Sequence, residues 1–399
     1  MAGKTIYGVG LDAGSRSTRM VVTTLEQGRV RLRGLAQVES QGWLKSRIVD
    51  AKAVTESILA ALREVETQAG VSVEAAAVGM GGKAARGANA RGALELGYVR
   101  EIDQRDVNRV VNRAARVQLL EDRMVLQLFP QDFVVDDHPG HRDPRQMMAT
   151  RLEINVHLVT ASLQDHNTLV GAVNQAHLTV EETVFEGMAA AYATVFPEER
   201  RQGVAVIDIG AESTEMAVYY GDAMQLASAV PVSGDHFTRD LAQVLCLSYE
   251  DAELVKTEYG GALSDGCAEN VTVEVPMPED REQRHVQRKL LNQILEARSG
   301  ELFQLVRTEL ARVGMEHALI GGVFLTGAAA RLPDLCDVAE RVLQCPARFG
   351  LPAGILDWPE ALKTPEWATA AGLAMYSAKL KVQASRERES VGWLGRVLR

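Results

Sequence analysis

Residues 11–22 read LDAGSRSTRMVV and residues 207–218 read IDIGAESTEMAV. Both follow D-x-G-x-x-S-T-x-M, carried by Asp12, Gly14, Ser17, Thr18 and Met20 and again by Asp208, Gly210, Ser213, Thr214 and Met216. An apolar run precedes each copy, which puts each aspartate at the tip of a buried strand. The glycine permits tight backbone close to a ligand. The hydroxyls and N–H groups that follow can cradle phosphate. An aspartate beside phosphates repels them unless a cation intervenes. Mg2+ does this while keeping most of its waters, so Asp12 and Asp208 are the candidate metal residues, acting through water. One Asp-Gly turn alone more often closes a hairpin. Two with matched offsets point to two halves of one site, gripping a single nucleotide phosphate chain between two lobes.

A length of 399 residues exceeds one ordinary core and predicts two or more domains. The net charge of −10 argues against nucleic acid as the main partner, since neutralising phosphates needs a basic surface. Cys246, Cys267, Cys336 and Cys345 form no C-x-x-C pair, which predicts reduced thiols rather than zinc or a disulfide framework. No run approaches the ~18 apolar residues of a membrane-spanning helix. The first residues lack the layout of a signal peptide, and the expectation is a cytoplasmic protein.

Periodicity places helices over 51–69, 106–117 and 289–313, and strands over 75–82, 124–137 and 151–162. Gln27–Gly28 reads as a hairpin turn, and DDHPGHRDPRQMM as a polar loop. Pro197 and the charges after it end an Ala-rich helix. The span 265–285 reads as loop around one strand. Thr364 is placed to cap a final helix, followed by a charged linker and then VGWLGRVLR. Two further stretches fit a nucleotide. IGGVFLTGAAARLP runs a strand into a small-residue turn at Gly327 and Ala328, a close approach for a sugar or base. Glu253 and Lys256 sit one helical turn apart, as a surface ion pair or as a ribose or adenine clamp.

Together these motifs resemble the actin and Hsp70 ATPase superfamily, with LDAGSRST and IDIGAEST as its phosphate turns and FLTGAAARLP as its adenosine turn. VFEGMAAAYA and TPEWATAAGLAMYS resemble its connecting helices. FPQDFVVDD, RLEINVHLVTA, VSGDHFTRDLA and AELVKTEYGGAL extend the likeness over nearly the whole chain to the FtsA family of bacterial cell-division proteins. The resemblance implies an α/β actin-like ATPase fold: two lobes with duplicated mixed-sheet cores, an inserted α+β subdomain and a C-terminal amphipathic helix. It implies lobe 1 at 1–79 and 162–201, the insert at 80–161, and lobe 2 at 202–232 and 305–355. A subdomain follows at 233–304, a connecting helix at 356–380, and a linker with membrane helix at 381–399.

The implied cofactors are ATP and Mg2+. Ser15, Arg16 and Gly234 join the nucleotide residues, and Glu186 stands where several members orient the attacking water. The implied partners are the C-terminal tail of the tubulin-like FtsZ, docking around 233–304, later division proteins on the insert, further copies in a filament, and anionic membrane lipids. The implied place is the inner face of the cytoplasmic membrane at midcell.

The turns depart from the family pattern. The second usually reads Asp-x-Gly-Gly-Gly-Thr but here carries Ala211, Glu212 and Ser213, and the glycine run of the third is Ala328–Ala329–Ala330. Each Ala adds a Cβ where backbone approaches ligand. At ~4 Å and an effective ε of ~20, Glu212 and a phosphate repel by ~4 kcal/mol. Glu212 therefore swings away or pairs with Arg16, unless Arg16 contacts phosphate itself. Weak or absent ATPase activity is expected.

In the tail, Val391, Leu394, Val397 and Leu398 share one helical face with Trp393 at its edge, while Arg396 lies toward the other side. This predicts an interfacial anchor, against a frayed or docked terminus. Two other readings stay open: a pilus-assembly scaffold like PilM, which needs no lipid contact, and a sugar-kinase-like phosphotransferase, which needs a catalytic base.

Overall fold

The computed structural model describes residues 5–397 apart from 117, 118, 120, 266, 269 and 276–283, with side chains through Ser385. Strands β1 (Ile6–Ala13), β2 (Ser17–Glu26) and β3 (Arg29–Glu39) form a meander. Gln27 and Gly28 join β2 to β3 with φ of 51° and 77°, the left-handed pair that a two-residue hairpin turn requires. A small hairpin, β4 (Trp43–Leu44) and β5 (Arg47–Ile48), follows. Helix α1 (Ala51–Ala69) begins where the Asp50 carboxylate accepts from the N–H groups of Lys52 and Ala53, and stops at left-handed Gly70. Its Val54, Ile58 and Leu62 pack on Val9, Leu11 and Met20. Strand β6 (Ala75–Met80) lies parallel to β1.

Next come β7 (Ala85–Glu101), α2 (Gln104–Ala115), β8 (Arg123–Val135), β9 (His138–His141) and β10 (Met148–Ser162), with sheet order β7-β10-β8-β9. Strand β9 lies inside the stretch expected to be loop. The long β7 is invisible to periodicity because glycines interrupt its alternation. Two of them are demanded by a neighbour: a Cβ on Gly87 would lie 2.3 Å from the Ala227 carbonyl oxygen, and one on Gly92 2.4 Å from that of Val110, while Gly97 takes a left-handed φ of 84°.

The chain returns through α3 (Leu163–Gln175), β11 (Thr179–Phe185) and α4 (Glu186–Thr194). Pro197 does more than end α4. It starts a separate short helix, α5 (Pro197–Gln202), at the position where its missing N–H costs nothing.

The plan then repeats. Strands β12 (Val204–Ile209), β13 (Thr214–Tyr220) and β14 (Ala223–Val230) form a second meander. Helices α6 (Gly234–Leu245) and α7 (Tyr249–Tyr259), a hairpin of β15 (Thr272–Val275) and β16 (Arg284–Gln287), and the single helix α8 (Arg288–Arg312) follow. Strand β17 (Gly322–Thr326) lies parallel to β12, then come α9 (Leu335–Leu343) and β18 (Ala347–Phe349). The two sheets read β11-β6-β1-β2-β3-β19 and β14-β13-β12-β17-β18, where β19 (Ile355–Leu356) carries the chain back to lobe 1. In each, a central strand has a parallel neighbour on one side and a meander on the other.

Helix α10 (Ala368–Val397) closes the chain. Two expectations fail at its ends. Thr364 makes no cap; its hydroxyl turns to the Leu362 carbonyl at 3.5 Å, and a 3-10 turn over Pro365–Trp367 leads into the helix. The expected linker after 380 is helical, since its Lys, Gln, Ala, Arg and Glu are good helix formers. The side chains of Val391, Trp393, Leu394, Arg396, Val397 and Leu398 lie outside the described residues. Among the described residues no helix is long and apolar enough to cross a membrane.

Candidate functional site: a cleft between two lobes

Strands β1 and β12 deliver Asp12 and Asp208 to the same cleft of about 490 Å³, the size of a small-molecule site. Both are buried. Each aspartate-bearing strand turns at its glycine in the same way: a Cβ on Gly14 would sit 2.9 Å from the Ser17 carbonyl oxygen, and one on Gly210 3.1 Å from that of Ser213. Ser15, Arg16 and Ser17 line one wall, and Gly210, Ala211 and Ser213 face them. Gly327, Ala328 and Gly234 close the lobe 2 side, with Glu253 and Lys256 at its edge. Gly327 has φ of 85°, and a Cβ there would meet Asp208 Oδ1 at 2.5 Å, so no other residue fits. Thr214 differs from the other expected residues: it is fully buried at the start of β13 and does not line the cleft.

The floor is acidic. Glu186, at the start of α4, and Glu215, on β13, join the two aspartates. Burial pushes the Asp12 carboxyl up to about 7, with Arg19 pulling it down and Asp208 pushing it up again. Burial, then Asp208, raises Glu215 to about 8. Glu186 is held well above the ordinary range by burial, then by Glu215, Asp12 and Asp208. Asp208 is raised by burial against a hydrogen bond from the Thr369 hydroxyl. The cation nearest this group is Arg19, 3.8 Å from Asp12. Among the described residues no three His, Cys, Asp or Glu side chains form a direct metal cage.

Glu215 and Arg19 were hidden in the sequence. They occupy the one position between Thr and Met that the repeat leaves free, and they are structurally equivalent: Asp12 pairs across the hairpin with Arg19, and Asp208 with Glu215. The register of each hairpin, not the pattern along either strand, brings them opposite the aspartates.

The two alternatives for Glu212 resolve. Its carboxylate turns away from the cleft and accepts the backbone N–H groups of Lys45 and Ser46 at 3.0 and 2.8 Å. Arg16 instead reaches Asp235 at 3.4 Å and stacks on Tyr249. Lys256 is already paired, with Glu253 at 2.7 Å and the Thr238 hydroxyl at 2.8 Å.

The sequence and the fold have known counterparts. The family model for cell division protein FtsA matches residues 205–372, and that for the SHS2 domain inserted in FtsA matches 82–160. Cell division protein FtsA of Pseudomonas aeruginosa is 32% identical over 376 residues, covering 94% of this chain and 89% of that relative. The Escherichia coli protein of the same name is 30% identical, covering 98% of this chain and 96% of its own length. Among solved structures, the PilM–PilN type IV pilus biogenesis complex superposes with a TM-score of 0.66 at 18% identity, covering 93% of this chain and 98% of that one. MreB5 of Spiroplasma citri bound to ADP gives 0.58 at 11% identity, covering 95% and 98%. The repeated sheets with their shared cleft are the actin-like ATPase fold, and the near-complete match to the sequences above means that the chain belongs to the FtsA family of cell-division proteins.

Proposed function

We propose that the cleft binds ATP with Mg2+ and that the protein tethers FtsZ filaments to the inner face of the cytoplasmic membrane. The observation that carries the nucleotide part is the meeting of two repeated Asp-x-Gly turns across one cavity. The donor set fits a cation held through water: three buried carboxylates, Asp12, Asp208 and Glu215, and the half-buried Glu186 gather around one guanidinium, a site whose charge a divalent ion would balance. Bound there, the ion would neutralise phosphate charge. Gly14 to Ser17 and Gly210 to Ser213 would hold the phosphates, Gly327 and Ala328 the adenosine, and Glu253 with Lys256 the ribose or base.

Hydrolysis would be slow or absent, because Ala211 and Ala328 each put a Cβ where the backbone of the turn should approach the nucleotide. By family membership, the FtsZ tail would dock around 233–304 and later division proteins on the insert, with copies aligned in a filament. The boundaries at 79, 161, 201, 232, 304, 355 and 380 belong to this reading; those at 304 and 380 fall inside the continuous helices α8 and α10.

Titration calorimetry with ATP and Mg2+ tests the nucleotide part. The wild type should bind, and Asp208→Ala should lose at least about tenfold in affinity, the scale of one charged contact. Equal binding by both proteins, or none by the wild type, refutes it.

A further inference from the structure

The Glu212 contact is built across the lobes. Lys45 and Ser46 form the turn of the β4–β5 hairpin in lobe 1, with φ of 52° and 60°. Two successive left-handed residues present their N–H groups to one side, a backbone anion site. The anion in it is the carboxylate of Glu212, from the phosphate turn of lobe 2. The Ser46 hydroxyl then donates to the Glu212 carbonyl oxygen at 2.9 Å. Beside it, Gly82, two residues past the end of β6 at the start of the insert, donates its N–H to Glu215 of lobe 2 at 2.5 Å. A Cβ on Gly82 would lie 3.2 Å from that of Ser46 and 3.6 Å from that of Ser213, so hairpin, glycine loop and phosphate turn converge at one point. At the opposite rim Arg16 ties β1–β2 to Asp235. A glycine at 212, as the family pattern has it, would have no side chain to bridge the lobes.

We propose that Glu212 is a positioning residue: an internal anion that clasps the lobes, so that the closed cleft is the resting state of this chain before any ligand arrives. A bridging ligand normally supplies the free energy of closure, and its apparent affinity rises in proportion to the fraction of protein already closed. Here three hydrogen bonds, two of them to a charged acceptor, do that work within the protein. The consequence for affinity rests on the nucleotide reading above; the clasp does not.

The test uses hydrogen exchange at residues 80–84, where the Gly82 amide reports closure without touching Glu212. In ligand-free wild type this segment should be protected, and Mg–ATP should change it little. In Glu212→Gly it should exchange at least about tenfold faster when ligand-free and recover with Mg–ATP, as expected for a shifted opening equilibrium. Ser46→Ala, which removes one bond of three, should give a smaller effect of the same sign. Calorimetry should show ATP and ADP weakened by the same factor in Glu212→Gly, since both depend on the same closure. Unchanged exchange in Glu212→Gly, or an unprotected segment in the wild type, overturns the clasp. If no nucleotide binds the wild type yet Glu212→Gly still loosens the segment, the nucleotide reading fails and the clasp stands.

Discussion

His157 lies on β10 of the insert and faces lobe 2. Its Nε2 accepts the Ala227 N–H at 2.9 Å, which leaves the proton on Nδ1, donated to Asn89 Oδ1 at 2.7 Å. The first bond needs the neutral ring, because a protonated Nε2 cannot accept; the second survives protonation. Burial, then Arg312, holds its pKa down to about 4 against an ordinary 6.5. The unfolded chain takes up a proton at a higher pH than the folded one. The stabilisation is therefore complete above pH 6.5 and is lost as pH falls toward 4. The loss is on the order of 3 kcal/mol, one pKa unit being worth ~1.4. Urea melts at pH 7 and pH 5 should show this slope in the wild type and a flatter one in His157→Gln; parallel slopes would remove His157 as the cause. At the same scale, the sequence named both aspartates of the cleft but passed over Glu215, because a carboxylate on a strand signals nothing until the strand's inner face is known.

Helix α10 packs on β1 and α4 through small residues. Ala368, Ala370, Ala371 and Ala374 are buried, and Gly372 meets α4 so closely that a Cβ would stand 1.8 Å from the Ala189 carbonyl oxygen. Strand β1 answers with Gly8 and Gly10, whose Cβ atoms would fall 2.3 and 2.4 Å from α10 carbonyls. These glycines are vacancies for another backbone, and α4 and α10 link the lobes beneath the cleft. Gly372→Ala should cost about 1–3 kcal/mol in urea unfolding through overpacking. Gly171→Ala, in α3 with nothing within 4 Å of its Cβ, should instead stabilise by about 0.5–1 kcal/mol. Equal effects of the two substitutions would show that packing against α4 is not what Gly372 serves.

At the scale of the whole molecule, the tail is the part that would meet the membrane. The arginines of the tail would each add roughly 1 kcal/mol of attraction to an anionic leaflet, and one short anchor would bind reversibly. A filament would multiply such anchors into avidity. Pelleting with vesicles containing phosphatidylglycerol should bring down the full chain and leave a truncation after Ser385 in the supernatant. Co-sedimentation of both would assign membrane binding, if any, to another surface.

The duplicated turn, the order of strands and helices, and the nucleotide-site candidates were legible because strand tips, glycines and hydrophobic periods are local. The small-residue helices too could be read, although not what they pack against. What only the tertiary structure decided is which groups face each other: Glu215 opposite Gly82, Glu212 seated on the hairpin, Arg16 on Asp235, and β7 running through its glycines. Those pairings join residues far apart along the chain. A local pattern fixes where a side chain points from its own strand or turn, but its partner is set by how two separately folded sheets close on one another.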